Sequence, residues 1–435
     1  MKKLALLVLS LFLIIPALGN AGSVTSRYDV TFGGFVKYDV GWSSQNDDSD
    51  PSVASRRSGA DYSVLKDEYS NTFMSGGSTR FNFLINGPGL WGARTSAFIE
   101  GDFRGVSTGN AYGGFQLRHA WMKMNWTSAE LMIGLNWQQW GMPYYATLLG
   151  DNDFMLFLRG KRTPQVAVRY FLNKELNAMI GISAATRWSG RDWRGPGTPD
   201  SRQQGSYSST EWPGLMAEVA YWSDRFGKVG STDMKFGLSG YYGKERPTAE
   251  DDIDDSSYYS NVLNVWVAAL RYSVPIIPEK QGNKAMALLL SGNVFIGQNV
   301  AGNNWMGGNS TSMGSYQRPG DNGDFAAPTL FGLFAQISWW LTGNLSVNGM
   351  YGYLRYNYSE YARTNSTDAR NRLSMEQQYA VNFLWDASQA VRFGIQWMTM
   401  FTQYGGKNAA GGIGTGVAEG NGSIDQYRFA AWYFF

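Results

Sequence analysis

The feature that most constrains the fold of this chain is a period-two alternation of apolar and polar residues, which recurs along its length. In the first such segment one parity carries Phe32, Val36 and Trp42, whereas the intervening positions carry Lys37 and Asp39. Successive side chains of a β-strand point to opposite faces, so this pattern predicts a strand with one apolar and one polar face. Each segment covers roughly 9 to 12 residues, the length with which a tilted strand crosses a bilayer.

About sixteen segments show the pattern, and closed bacterial barrels have an even number of strands. The predicted strands span residues 29–42, 77–86, 93–104, 115–126, 130–138, 164–172, 176–187, 214–222, 233–243, 261–274, 285–298, 329–341, 345–356, 376–386, 391–402 and 424–435. The connections alternate between short turns, such as 127–129 and 173–174, and long loops, such as 139–163 and 188–213. Short periplasmic turns and long external loops are typical of outer-membrane barrels.

The composition agrees with a chain that faces lipid and water at once. Hydrophobic residues make up 43% and charged residues 17%, yet the mean hydropathy is −0.30 because each strand averages its two faces. A β-structure in lipid must close into a barrel, since lipid offers no hydrogen-bond partners. We therefore predict an all-β, transmembrane antiparallel β-barrel of about 16 strands in the outer membrane of a Gram-negative bacterium. The competing fold is a secreted β-sandwich or soluble barrel with an aromatic core, but sandwich strands average about 5–6 residues.

The N-terminus has the composition of a secretory signal peptide. Lys2 and Lys3 precede an apolar stretch over residues 4–15, and small residues follow it. We expect residues 1–21 to be cleaved, which leaves residues 22–435 as the barrel domain. Without the two lysines, 35 basic and 35 acidic residues remain. This balance gives no support to nucleic acid as a partner.

The chain contains no cysteine and a single histidine, His119. Thiolate metal sites, iron–sulfur clusters and covalently attached haem are therefore excluded, and we expect neither a metal nor a cofactor. An outer-membrane phospholipase would have to use His119 as its base, but no serine-nucleophile signature accompanies it. We therefore expect that the protein is not an enzyme.

Three short motifs resemble strands of a known family. The C-terminal residues 427–435, Tyr-Arg-Phe-Ala-Ala-Trp-Tyr-Phe-Phe, resemble the closing strand of Gram-negative outer-membrane barrels. Residues 32–39, Phe-Gly-Gly-Phe-Val-Lys-Tyr-Asp, and residues 117–121, Leu-Arg-His-Ala-Trp, are similar to strands of dicarboxylate- and phosphate-type (DcaP-like) porins. The resemblance implies a homotrimer in outer-membrane lipid and lipopolysaccharide, whose C-terminal strand is recognised by the barrel-assembly machinery. It also implies a diffusion channel for small hydrophilic solutes.

The same resemblance implies that the third long loop, residues 139–163, folds into the barrel and narrows it. Its charged residues are the candidates for the constriction: Asp151, Asp153, Arg159, Lys161 and Arg162. Parity alone indicates which side chains of the strands face water. These positions include six basic candidates for lining the pore: Lys37, Arg80, Arg94, Arg118, Arg169 and Arg392. Fixed charges of one sign raise the local concentration of opposite ions, so the leading hypothesis is a modest anion preference, with the early basic residues forming a ladder opposite the loop acids.

Other interpretations stay open. The basic residues could pair with lumen carboxylates such as Asp39, Glu100 and Glu218, which would stabilise the wall without giving selectivity. The barrel could also act as a binding or scaffold component, for example a sheath for partner proteins, or could transport one specific substrate. The parity of residues 115–126 is ambiguous, so His119 could face the lumen, the lipid or another subunit.

Overall fold

The structure is a computed structural model that describes residues 28–45, 69–105, 113–138, 140, 142–150, 153–154, 157, 162–183, 213–245, 263–298, 316–317, 325–357, 373–404 and 421–435. The predicted signal peptide, residues 1–21, lies outside the described residues. The strands of the described chain are β1 Asp29–Ser43, β2 Asn71–Ser75, β3 Arg80–Asn86, β4 Arg94–Gly105, β5 Gly114–Asn125, β6 Ala129–Trp137, β7 Arg162–Phe171, β8 Leu176–Ser183, β9 Gly214–Val229, β10 Thr232–Glu245, β11 Leu263–Ile277, β12 Leu288–Gln298, β13 Tyr316–Gln317, β14 Phe325–Ala326, β15 Thr329–Trp340, β16 Leu345–Asn357, β17 Leu373–Asp386, β18 Val391–Tyr404 and β19 Asn421–Phe434. Within these ranges no helix has the length and apolar character needed to cross a membrane.

All of these strands except β13 and β14 belong to one antiparallel sheet that closes on itself. Closure occurs where β19 pairs with β1, from the Phe35–Phe434 pair to the Ser43–Gln426 pair. Both β2 and β3 pair with β1 and together form one interrupted strand, so sixteen strands make up the wall. The predicted 16-stranded antiparallel barrel is therefore confirmed.

The second spanning strand is longer than the predicted segment 77–86. It begins at Asn71, and residues 76–79 interrupt its pairing with β1 before β3 begins. The hydroxyl of Thr79 bridges the break, since its Oγ1 accepts a hydrogen bond from Lys37 N (3.1 Å) and donates one to Lys37 O (3.2 Å). The break therefore leaves these backbone groups of β1 paired, which a buried backbone requires.

A similar extension occurs at the periplasmic end of β9. This strand continues to Val229, past the end of the predicted segment 214–222, and returns to β10 through Gly230, whose φ is 61°. The polar residues after 222 belong to the strand because its end pairs with β10, with Lys228 opposite Asp233 and Val229 opposite Thr232. Arg225 also lies 2.9 Å from Glu175. The charged stretch at the end of β9 is therefore not a loop.

The two faces of the sheet differ in chemistry, as the alternation predicts. Large apolar side chains such as Val219, Leu238 and Ile395 are exposed on the outer surface. The opposite parity carries buried polar side chains, such as Ser291 and Asn348. An outer face of this kind suits lipid and an inner face of this kind suits water.

The ambiguous parity of β5 has a physical origin in its register with β4. Glu100 lies opposite His119, whereas the next residue, Gly101, lies opposite Leu117, so Arg118 is an extra residue on β5. A β-bulge of this kind exchanges the inward and outward positions on its two sides. As a result His119 lies beside the inward-facing Glu100, and no single parity describes the strand.

Candidate functional site

The described part of the third long loop lies inside the barrel. The side chains of Trp140, Phe154 and Phe157 are at most 1% exposed and pack in one apolar cluster with inward-facing residues of β11, β12 and β15–β18. Gly352 of β16 makes room for them, because a Cβ at this position would overlap both phenylalanine rings. We call the inner faces of β11, β12 and β15–β18 the covered wall.

Amide side chains of the covered wall bind the backbone of the loop. The N–H of Thr147 donates to Gln336 Oε1 (2.9 Å), and its carbonyl accepts from Asn382 Nδ2 (2.6 Å). The N–H of Phe154 donates to Gln378 Oε1 (2.8 Å). The sequence prediction selects pore-lining candidates by their charge and therefore omits these neutral amides, although the alternation already places them on the inward face.

Asp153 contributes to this attachment. Its Oδ2 accepts hydrogen bonds from Gly150 N and from Gln396 Nε2, both at 2.7 Å, and the residue is 1% exposed. The carboxylate therefore contacts the covered wall and is not the lumen-facing acid that the predicted ladder requires. Three further candidates of the loop lie outside the described residues: Asp151, Arg159 and Lys161.

Lys37 and Arg428 share one carboxylate beside the loop. Lys37 Nζ lies 2.9 Å from Asp39 Oδ2, and Arg428 Nη1 lies 3.6 Å from Asp39 Oδ1. The Lys37 ammonium also donates a hydrogen bond to the carbonyl of Leu149 in the loop. Lys37 is only 4% exposed, because the loop carbonyl, Asp39 and the Trp432 ring, whose centroid lies 5.3 Å from Nζ, enclose it.

A second shared carboxylate is Glu218 of β9. Its two oxygens lie 2.9 Å from Arg169 Nη2 and 2.5 Å from Arg271 Nη2, and Arg169 also donates to Asn177. The guanidinium of Arg271 lies 4.2 Å from the ring centroid of Tyr144 in the loop. Burial raises the pKa of the Tyr144 phenol, so this ring is neutral at physiological pH.

A third cluster lies on the inner faces of β3–β7, which we call the open wall. Arg118 Nε lies 3.1 Å from Glu100 Oε1, and its Nη1 donates to Asp102. Arg80 Nη1 and His119 Nε2 lie 3.6 and 4.0 Å from the same Glu100 oxygen. The side chains of Arg80 and Arg118 are 22% and 12% exposed, so both remain partly accessible to water in the lumen.

The other two basic candidates lie toward the periplasmic end. Arg392 pairs with Asp386 at 2.5 Å, and Arg94 is exposed at the start of β4. The six basic candidates thus lie at five places along the wall, since Arg80 and Arg118 share Glu100, and the early ones among the six do not form one ladder. The reason is that five of them have a wall carboxylate within 4 Å: Lys37, Arg80, Arg118, Arg169 and Arg392.

The open wall also carries residues that the sequence prediction assigns elsewhere or omits. Arg162 is the first residue of β7 and not part of the loop, and its guanidinium lies 5.0 Å from the Trp137 ring centroid. Lys123 pairs with Glu130 at 3.0 Å and lies 5.0 Å from the Trp121 ring centroid. Cations on aromatic faces are a recurring element of this lumen.

Comparisons with known proteins place the fold. No protein-family model and no curated protein matches the sequence. Among solved structures, the chain is similar to the outer membrane channel DcaP of Acinetobacter baumannii, with a TM-score of 0.67 and 16% identity over 95% of this chain and 99% of that one. It is also similar to an anion-selective porin from Comamonas acidovorans, with a TM-score of 0.54 and 13% identity over 94% of this chain and 100% of that one. The chain therefore has the fold of outer-membrane porins, as its sequence motifs suggest.

Proposed function

We propose that the protein is an outer-membrane channel through which small hydrophilic solutes diffuse passively. The observation on which this proposal rests is a closed barrel that is apolar outside, charged inside and partly filled by its third long loop. The outer face suits lipid, and the inner face suits a water-filled path. Because the loop is docked on the covered wall, it acts as the constriction and leaves the path beside the open wall.

A modest anion preference is part of the proposal. In two of the pairs the carboxylate is buried more deeply than the cation: Asp102 has 0% side-chain exposure against 12% for Arg118, and Glu218 has 0% against 9% for Arg169. Two cations share Glu218 and two share Asp39, so each of these groups carries a net positive charge. A positive field focused along a low-dielectric channel concentrates anions. The similarity of fold to an anion-selective porin agrees with this preference.

We further propose that the channel is a homotrimer in outer-membrane lipid and lipopolysaccharide, exported by the signal peptide of residues 1–21. The exposed apolar outer face needs lipid or neighbouring copies to cover it. The last strand, β19, ends in aromatic residues, and the Phe435 ring lies 5.2 Å from that of Phe32 at the seam. This strand is the signal that the barrel-assembly machinery would recognise.

The test is reconstitution of the purified protein in a planar lipid bilayer, with conductance and reversal potential measured across a salt gradient. We expect ohmic conductance steps and a reversal potential whose sign shows that anions cross more readily than cations. A folded barrel without ohmic conductance would contradict the channel and favour a scaffold function. Cation selectivity would contradict the anion preference and leave the fold unaffected.

A further inference from the structure

We infer that a row of neutral amide side chains on the covered wall positions the third loop and thereby sets the width of the channel. We call Asn348, Asn382 and Gln396 the amide row. They lie opposite one another on β16, β17 and β18, in direct register. The inference rests on the proposed channel function, because it assigns these residues to the constriction of that channel.

The amide row forms a continuous hydrogen-bonded connection from the wall to the loop. Asn348 Nδ2 donates to Asn382 Oδ1 (2.8 Å), and Asn382 Nδ2 donates to Gln396 Oε1 (3.3 Å) and to Thr147 O (2.6 Å). Gln396 Nε2 then donates to Asp153 Oδ2 (2.7 Å). All three amides are at most 4% exposed. Water therefore does not compete for these bonds; two of them bind loop atoms, Thr147 O and Asp153 Oδ2, and the other two orient the amides that do so.

Two neighbouring amides complete the attachment by accepting hydrogen bonds. Gln336 accepts from Thr147 N, and its own Nε2 donates to Ser338 Oγ at 2.8 Å, which fixes the orientation of the amide. Gln378 accepts from Phe154 N in the same way. The peptide groups on both sides of Thr147 are thus bound by side chains, as they would be bound by a neighbouring strand in a sheet.

The chemistry of this surface explains why amides occupy it. An amide donates and accepts hydrogen bonds at once and carries no charge. A charged anchor at this depth would have to be desolvated, which is unfavourable without a partner. The apolar contacts of Phe154 and Phe157 attract the loop to the wall but have no direction. The amide bonds are directional, so they determine where along the wall the loop lies.

A charge exchange between Gln396 and Asp153 tests the inference. The nearly isosteric substitution Q396E places a carboxylate against that of Asp153 and removes the donor between them. In single-channel recordings we expect the time spent in larger or noisier conductance substates to rise about tenfold, as loss of one buried hydrogen bond allows. In the double variant Q396E/D153N, the new amide at position 153 donates to the new carboxylate at position 396, so the wild-type conductance should return.

The matched control is Q116E, the same change at an inward-facing position of β5 opposite Asp102. It should shift the reversal potential without adding substates. Hydrogen exchange of the loop peptide 142–157 in the folded protein provides a second measurement, and Q396E should accelerate it. The inference is overturned if Q396E matches the wild type in both substates and exchange, or if the double variant is not rescued. Absence of conductance in the wild type would instead contradict the channel, and the exchange measurement would still test the attachment.

Discussion

The covered wall and the open wall of the lumen are stabilised in different ways. On the covered wall, the loop buries aromatic rings such as Phe154 together with neutral amides such as Asn382. On the open wall, the guanidinium groups of Arg80 and Arg118 remain partly exposed over more deeply buried carboxylates. Desolvation is most unfavourable for charges, so buried charges such as Asp153 and Glu218 are hydrogen-bonded or paired, whereas the neutral amides need no counter-charge. In the proposed channel, the covered wall positions the loop and thereby determines the shape of the path, whereas the open wall contributes charge to it.

The largest expected effect is on the covered wall. The substitution Phe154→Ala removes a fully buried ring between the loop and β16, and the resulting cavity should lower the free energy of unfolding by about 3–5 kcal/mol. It should also raise single-channel conductance, because the loop loses contact with the wall. Thermal unfolding, followed by the loss of the compact barrel band in unheated detergent gels, measures the stability. Phe83→Ala, on the outer face, is the control and should lower the free energy of unfolding by less. Equal losses of stability in the two variants would contradict the distinction between the two surfaces.

A second experiment compares a fully buried carboxylate, Glu218 of β9, with one on the open wall, Glu100. Glu218→Gln leaves Arg169 and Arg271 buried without a counter-charge and should cost about 3 kcal/mol of stability. Glu100→Gln should cost less, about 1–2 kcal/mol, because water can solvate the partly exposed guanidinium groups of Arg80 and Arg118 that lose their partner. Denaturant unfolding of the two variants side by side measures both values. A larger loss for Glu100→Gln would show that the open wall is the drier one.

Ion selectivity should depend more on the partly exposed charges of the open wall than on the buried charges. This order is the reverse of the one expected for stability. Arg118→Gln removes a lumen-facing charge, and we expect the anion-to-cation permeability ratio to fall roughly two- to fivefold, since a unit charge at about 4 Å in water contributes about 1 kcal/mol. Lys37→Gln removes a charge that the loop covers, so its effect on the ratio should be smaller. Reversal potentials across a salt gradient measure both. If Lys37→Gln had the larger effect, the covered charges would dominate the field.

The smallest effect is expected for the partly exposed pair of Lys123 and Glu130. Their side chains are 25% and 23% exposed, so Lys123→Ala should change the stability by less than about 1 kcal/mol. The same unfolding assay applies, with the wild type as reference. A loss comparable to that of Glu218→Gln would mean that this part of the open wall is not solvated.

The strands of this barrel are predictable from sequence because alternate residues face lipid on one side and water on the other. Val36 and Lys37 are neighbours in the chain, yet one is exposed on the outer surface and the other is buried inside, as the alternation indicates. The bulge at Arg118 is not predictable in this way, because it depends on the register between β4 and β5. Parity assigns a side chain to a face, whereas pairing across the lumen requires the three-dimensional structure.

The site is less predictable than the fold for the same reason. Charge suggests that Asp153 faces the lumen, but its actual partner, Gln396, lies 243 positions away in the sequence. The pairing of Arg169 with Glu218 likewise joins β7 to β9 across an intervening strand. The inward parity of Gln378 and Asn382 is visible in the sequence, but nothing local distinguishes an amide that binds the loop from one that binds water.

The attachment of the loop to the covered wall also restricts the order of barrel assembly. The loop residue Thr147 and its partner Gln336 are separated by 189 positions, and the attachment points continue into β18. Contacts between segments so distant in sequence form only after a large loop of chain has closed. The loop can therefore reach its final position only when the last third of the chain has joined the sheet. Its arrival marks the completion of the barrel, because a chain that stopped before β15 would offer it only the part of the covered wall on β11 and β12.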